Sequence, residues 1–194
     1  MQPVRVFAET LAQLADREHY LFTLRDLHAL LPDSTYATFK TLVSRAAKTG
    51  PLKHLCRNLY IYEKVDYPRD RVLFHAAARL RAEYFNYISL ETALSDAGLI
   101  SQIPFSWITV MSSGRSGKIQ CQGFGTIEFI HTEKDPSRLA PELVWDRQNR
   151  LMRASVALAM TDMRAAKRSL ELVDTGRAYT DRAYTGRADQ EEIR

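Results

Sequence analysis

The chain has 194 residues, 45% hydrophobic and 26% charged, so it carries enough apolar material for one large or two small cores and is not disordered as a whole. Lys and Arg number 27 against 23 Asp and Glu, and the resulting net charge of +4 with a pI near 9.1 permits a nucleic-acid partner without requiring one. No run approaches the ~20 apolar residues of a membrane span, and MQPVRVFAETLAQLAD has acids at Glu9 and Asp16 and no apolar signal core, so a cytoplasmic protein without membrane contact is expected.

Val4, Phe7, Leu11 and Leu14 share one face of a helix expected over 4–15 and begun at Pro3. His19–Phe22 reads as a single strand. Thr23 is placed to cap a short helix, with Asp26 near its N-terminus and Leu24, Leu27, Leu30 and Leu31 along it, before Pro32 stops it. Asp33 or Ser34 is expected to cap a third helix. At 100° per residue its inner face is Phe39, Leu42, Val43 and Ala46. Its outer face carries Ser34, Ala37, Thr41, Ser44, Arg45 and Lys48, with Lys40 on the flank. Gly50 ends the helix. Two strands, Leu52–Cys56 and Leu59–Glu63, then surround Arg57-Asn58, where Asn tolerates the positive φ of a tight turn. Cys56 and a distant Cys121 stand in no metal-ligand or redox spacing and read as small core hydrophobes.

Helix, strand, helix, helix and basic hairpin is the order of a winged helix-turn-helix, whose second paired helix enters the major groove. From Ser34 to Tyr60 there are five basic residues, Lys40, Arg45, Lys48, Lys53 and Arg57, and no acid. Phosphates attract such a strip, and the hydroxyls of Ser34, Thr41 and Ser44 can reach phosphates or base edges. These eight residues are the candidate DNA contacts; the alternative is the solvated face of a structural domain.

Asp66–Asp70, with Tyr67-Pro68 and three charges, reads as a linker before a helix over Arg71–Tyr84. Ser89 is expected to cap a short helix, with Thr92 where a capping box has its acid; Leu90, Ala93, Leu94 and Ala97 form the apolar side and Gly98 ends it. Strands are expected at Trp107–Met111 and Gly125–His131, with a turn over Ser112–Gly117. The runs YISLETALSDAGLI (87–100), ITVMSSGRSGK (108–118) and GTIEFIHTEK (125–134), preceded by KTGPLKHLCRNLYIYE, resemble the AbiEi-family antitoxins of type IV toxin–antitoxin systems over about residues 4–170. The family's wing usually reads Arg-Gly-x-Tyr; here it is Arg57-Asn58-Leu59-Tyr60, which keeps positive φ accessible. The resemblance implies an N-terminal winged helix that binds inverted repeats of double-stranded DNA in its own promoter as a repressor. It also implies a non-enzymatic C-terminal domain, of use in phage defence, that antagonises a nucleotidyltransferase-like toxin without requiring a stable complex.

Ser112–Lys118 is not a phosphate loop: Ser112 stands where the first Gly belongs, Ile119 follows the Lys, and a strand rather than a helix is expected next. Glu128 and His131 lie three apart on a strand and so on opposite faces. The sequence therefore suggests no catalytic residue, cofactor or metal site. Glu91, Arg115 and Lys118 are the candidates for antitoxin function. Residues 151–173 read as one amphipathic helix striped by Leu151, Val156, Ala159, Met160, Met163, Ala166 and Leu170, with Arg164, Lys167 and Arg168 opposite. The tail repeats Arg-Ala-Tyr-Thr at 177–180 and 182–185, matches no structural repeat, and is expected to be flexible.

The resulting expectation is an α+β protein, a winged helix-turn-helix followed by a small mixed α/β domain, divided as 1–65, 66–174 and a tail at 175–194. The alternatives are a regulator whose C-terminal domain senses a small ligand, with no toxin partner, and a nuclease using Glu91, Glu128 and Asp162.

Overall fold

The computed structural model describes residues 3–32, 34–100, 106–171 and 173–174; Asp33 and the repetitive tail lie outside the described residues. The protein has the expected α+β character, in two compact units. The first comprises residues 1–82 with 119–126, and the second residues 83–118 with 127–194.

In the first unit, α1 (Pro3–Leu14) buries Phe7 and Leu11, and Ala15 continues the same i, i+4 line just past its end. Leu14 lies at the border of that line and is 50% exposed, contrary to the expected stripe. Next come β1 (Leu21–Thr23) and α2 (Leu24–Ala29). The junction is a capping box: Thr23 Oγ1 accepts from the Asp26 N–H, and the Asp26 carboxylate accepts from the Thr23 N–H at 2.7 Å. α3 (Tyr36–Thr49) is capped by Thr35 rather than by Ser34. Thr35 has the extended backbone and accepts from the Thr38 N–H, whereas the Ser34 hydroxyl donates back to Leu31 O and closes the turn after α2.

Phe39, Leu42 and Val43 are buried as expected, and Ala46 is partly so. Gly50 is the extended C-cap of α3, and glycine is required there because a Cβ would stand 2.8 Å from Ala46 O. β2 (Leu52–Cys56) and β3 (Leu59–Tyr62) form the wing hairpin, and Asn58 takes φ 62° in its turn. The three-stranded antiparallel sheet has the order β1-β3-β2, and Phe22, Leu27, Phe39 and Leu52 join the α1 residues in one core.

Asp66–Asp70 is not a free linker. Tyr67 is buried and stacks on Tyr20 with ring centroids 4.8 Å apart, and Tyr20 Oη lies 2.6 Å from His75 Nδ1 on α4 (Val72–Leu80). These contacts draw 66–82 into the first unit, beyond the expected limit at 65. α4 also ends short of Tyr84, with Arg81 at its C-cap.

The elements that follow are β4 (Asn86–Ile88), α5 (Leu90–Asp96), β5 (Trp107–Ser112), β6 (Gly117–Cys121), β7 (Gly125–His131), α6 (Pro136–Leu139), β8 (Leu143–Asp146), β9 (Leu151–Ala154) and α7 (Val156–Ala165). The sheet order is β6-β7-β5-β4-β9-β8. The tip of the β6–β7 hairpin, residues 119–126, belongs to the first unit. β4 runs antiparallel to β5 and parallel to β9, and β9 runs antiparallel to β8.

The single helix expected over 151–173 is therefore corrected. Leu-Met-Arg-Ala are good helix formers, but strands on both sides override that preference. Ser155 caps the true helix by accepting from the Leu158 N–H. α7 buries Leu158, Ala159, Asp162 and Met163 and packs on α5, while Val156, Met160, Ala166 and Leu170 are only half-buried. On α5, Leu90, Ala93 and Leu94 are buried but Ala97 is exposed; Gly98 follows at φ 73°, and the Leu99 N–H closes back on Leu94 O at 2.9 Å.

Candidate nucleic-acid interface

α3 presents its outer face to solvent because its inner face is taken up by the core: Ala37, Lys40, Thr41, Ser44, Arg45 and Lys48 are all exposed. Among the described residues, Arg45 and Lys48 have no carboxylate within salt-bridge distance, and neither does Arg57 at the wing turn. The other basic residues are more committed. Lys40 Nζ sits 4.8 Å from the centroid of the Tyr36 ring. Lys53 pairs with Glu63 at 3.2 Å across the wing hairpin. The acid-free strip is thus acid-free only along the chain: pairing β2 with β3 carries Glu63, three residues past its end, back onto Lys53.

The hydroxyls divide likewise. Ser34 is half-buried and donates to Leu31 O, and Thr41 donates to Ala37 O at 3.0 Å. Each has spent its one proton within the helix pair, so neither can donate to a phosphate in this rotamer. Ser44 remains exposed on the same face as Arg45 and Lys48. Sequence reasoning passed over Tyr36, which is 57% exposed in the first turn of the same helix, and His54, exposed on the wing with its ring 5.3 Å from that of Tyr60. An aromatic next to the cap of a basic helix was the available signal for Tyr36.

The second unit gathers two of its three candidates into one cluster. Arg168 reaches Glu128 at 2.8 Å and Glu91 at 3.7 Å, and Lys118 lies 3.6 Å from Glu128 and 4.9 Å from the centroid of Trp107. Glu91 Oε2 is buried and receives no hydrogen bond. Beside the cluster is a cavity of about 380 Å³ lined by Ser116, Lys118, Glu128, Phe129 and Arg168 among others. Arg115 is exposed in the preceding turn. That turn is polar and self-bonded: Ser116 Oγ accepts from the His131 N–H at 2.9 Å, and His131 Nδ1 lies 2.9 Å from Gly114 O. Lys118 lies within β6, so the turn leads into a strand and not into the N-terminus of a helix.

Glu128 and His131 point apart, the first to Arg168 and the second toward Glu133. The three carboxylates of the nuclease alternative are each paired with a cation, Glu91 and Glu128 with Arg168 and Asp162 with Lys134.

A buried polar network in this unit escaped the sequence. Ser89 stands at the N-cap of α5 but does not cap it; its hydroxyl donates to Asp162 Oδ2 at 2.7 Å, and Lys134 donates to Asp162 Oδ1. The Thr92 N–H, which a cap would have satisfied, donates instead to Thr109 Oγ1 at 3.2 Å. Burial and the nearby Asp162 charge push the Tyr87 phenol well above its ordinary range. At the sheet edge, burial works against ionisation of Asp146, but Arg153 and Asn149 outweigh it and hold the carboxyl below its usual value. No protein-family model matches the chain, and no curated protein matches it.

Proposed function

We propose that this protein is a DNA-binding transcriptional autorepressor, and that it acts in the cytoplasm as the antitoxin of a type IV toxin–antitoxin operon of the AbiEi kind. The observation that carries the DNA-binding reading is the pair Arg45 and Lys48, exposed and uncompensated on the solvent face of the second paired helix of a winged helix-turn-helix. In this reading α3 lies in the major groove, with Arg45, Lys48 and Lys40 on phosphates, Ser44 near phosphate or base, and Arg57 on the adjacent backbone. Ser34 and Thr41 contribute as acceptors or through van der Waals contact. Lys53 must leave Glu63 to bind DNA, so it contributes less than Arg57.

Gel-shift titration against the inverted repeats upstream of the gene tests this. Log affinity should fall with log salt with a slope of about −0.9 per phosphate contact. The Arg45→Ala/Lys48→Ala double variant should bind less tightly and with a shallower slope. Unchanged affinity in that variant removes α3 from the interface.

The antitoxin half of the proposal rests on the family resemblance and assigns Glu91, Arg115 and Lys118 to antagonism of a nucleotidyltransferase-like toxin. It requires such a toxin gene next to this one, and coexpression must restore growth. A second reading, a regulator that senses a small ligand, is favoured by the cavity lined by Lys118, Glu128 and Arg168. Failure of rescue, together with a thermal shift caused by a small molecule, would select it.

A further inference from the structure

Cys56 closes β2 and Cys121 closes β6, 65 positions apart in the chain. The fold sets them side by side within the first unit. The Gln122 N–H donates to Leu55 O at 2.8 Å, joining the residue before one cysteine to the residue after the other. That bond brings the backbones of the two cysteines together although β2 and β6 belong to different sheets. Each thiol is the largest influence on the other's ionisation, drawing Cys56 down and pushing Cys121 up. Both are reduced and buried, at 3% and 0% exposure.

We propose that Cys56 and Cys121 are an oxidisable dithiol, a modification site at which a small hydroperoxide installs an intramolecular disulfide. Cys56, the less buried of the two at 3% against 0% exposure, is the attacking sulfur. The neighbouring Cys121 thiol draws it below the ordinary range, while Cys56 and burial push Cys121 up. The Cys56 thiolate attacks one oxygen of hydrogen peroxide, the O–O bond breaks, and hydroxide leaves, giving a sulfenic acid. Cys121 gives up its proton as its sulfur attacks the Cys56 sulfur. The S–O bond then breaks, the hydroxyl leaves as water, and both thiols have been oxidised while one peroxide is reduced to two waters. Burial selects the oxidant: hydrogen peroxide is close to water in size, whereas glutathione disulfide is too large to reach Cys56.

The test uses the full chain, treated with hydrogen peroxide, alkylated and digested with trypsin. The expected product is one disulfide joining His54–Arg57 to Ile119–Lys134, reversed by dithiothreitol, with the electrophoretic mobility of a monomer. Unlinked peptides with a sulfinic or unmodified Cys56 would overturn the proposal. The order of attack is read separately with dimedone, which traps sulfenic acids. Cys121→Ala should be labelled at Cys56, and Cys56→Ala should remain unlabelled at Cys121. Equal labelling of the two variants overturns the assignment of Cys56 as the attacking thiol.

Discussion

Asp162 is 0% exposed, yet its carboxylate pairs with Lys134 and accepts a hydrogen bond from Ser89. A carboxylate removed from water is tolerated only while such partners hold it. Asp162→Ala leaves the Lys134 ammonium without its counter-charge and the Ser89 hydroxyl without an acceptor. Lys134 keeps some access to water, so the expected loss is at the lower end of the range for a broken buried pair, about 3 kcal/mol. Ser89→Ala removes one hydrogen bond to a charged group and should cost less, about 1.5 kcal/mol. Urea unfolding of the two variants checks the ranking, and equal losses would show that the Lys134 pair contributes nothing. None of this was legible from the chain. Ser89 read as a helix cap because it has the right residue type at the right place, and nothing local announces an acceptor 73 positions away.

At the scale of elements, the Thr23–Asp26 box ties α2 to pH. Burial disfavours the Asp26 carboxylate, but hydrogen bonds from the Thr23 hydroxyl and N–H, together with Arg79, outweigh it and hold the carboxyl below its ordinary value. A lowered carboxyl contributes stability that is complete above the free value of about 3.9 and is lost as pH falls through the folded one. The protein should therefore lose stability between about pH 5 and about pH 3, and Asp26→Asn should lose less over that interval. Urea midpoints at the two pH values measure the difference. This element was legible because its signal spans only four residues, as was the α3 face, where Phe39, Leu42 and Val43 repeat at helical spacing. The β9 strand was not, because Leu-Met-Arg-Ala favours a helix and only its pairing with β4 and β8 makes it extended. The Lys53–Glu63 pair was hidden for a related reason: it exists only once the hairpin register is set.

At the scale of the whole molecule, the first unit is discontinuous, built from residues 1–82 and 119–126. A fragment limited to 1–65 lacks Tyr67, which stacks on Tyr20, and His75, which meets the Tyr20 hydroxyl. It also lacks Gln122, which satisfies Leu55 O. Such a fragment should show weaker amide protection than the same residues in the full chain, whereas a fragment ending at 126 should recover protection around Leu55. Hydrogen exchange on the three proteins reads this directly, and equal protection in 1–65 would make the later segments dispensable to the winged helix. The same discontinuity sets a clock during synthesis. The unit cannot be completed until residue 126 has been made, 44 residues after Ala82, a wait of roughly 2–9 s at 5–20 residues per second. Throughout it the Leu55 carbonyl has no Gln122 to accept from, and Cys56 waits beside the place its partner thiol has yet to reach.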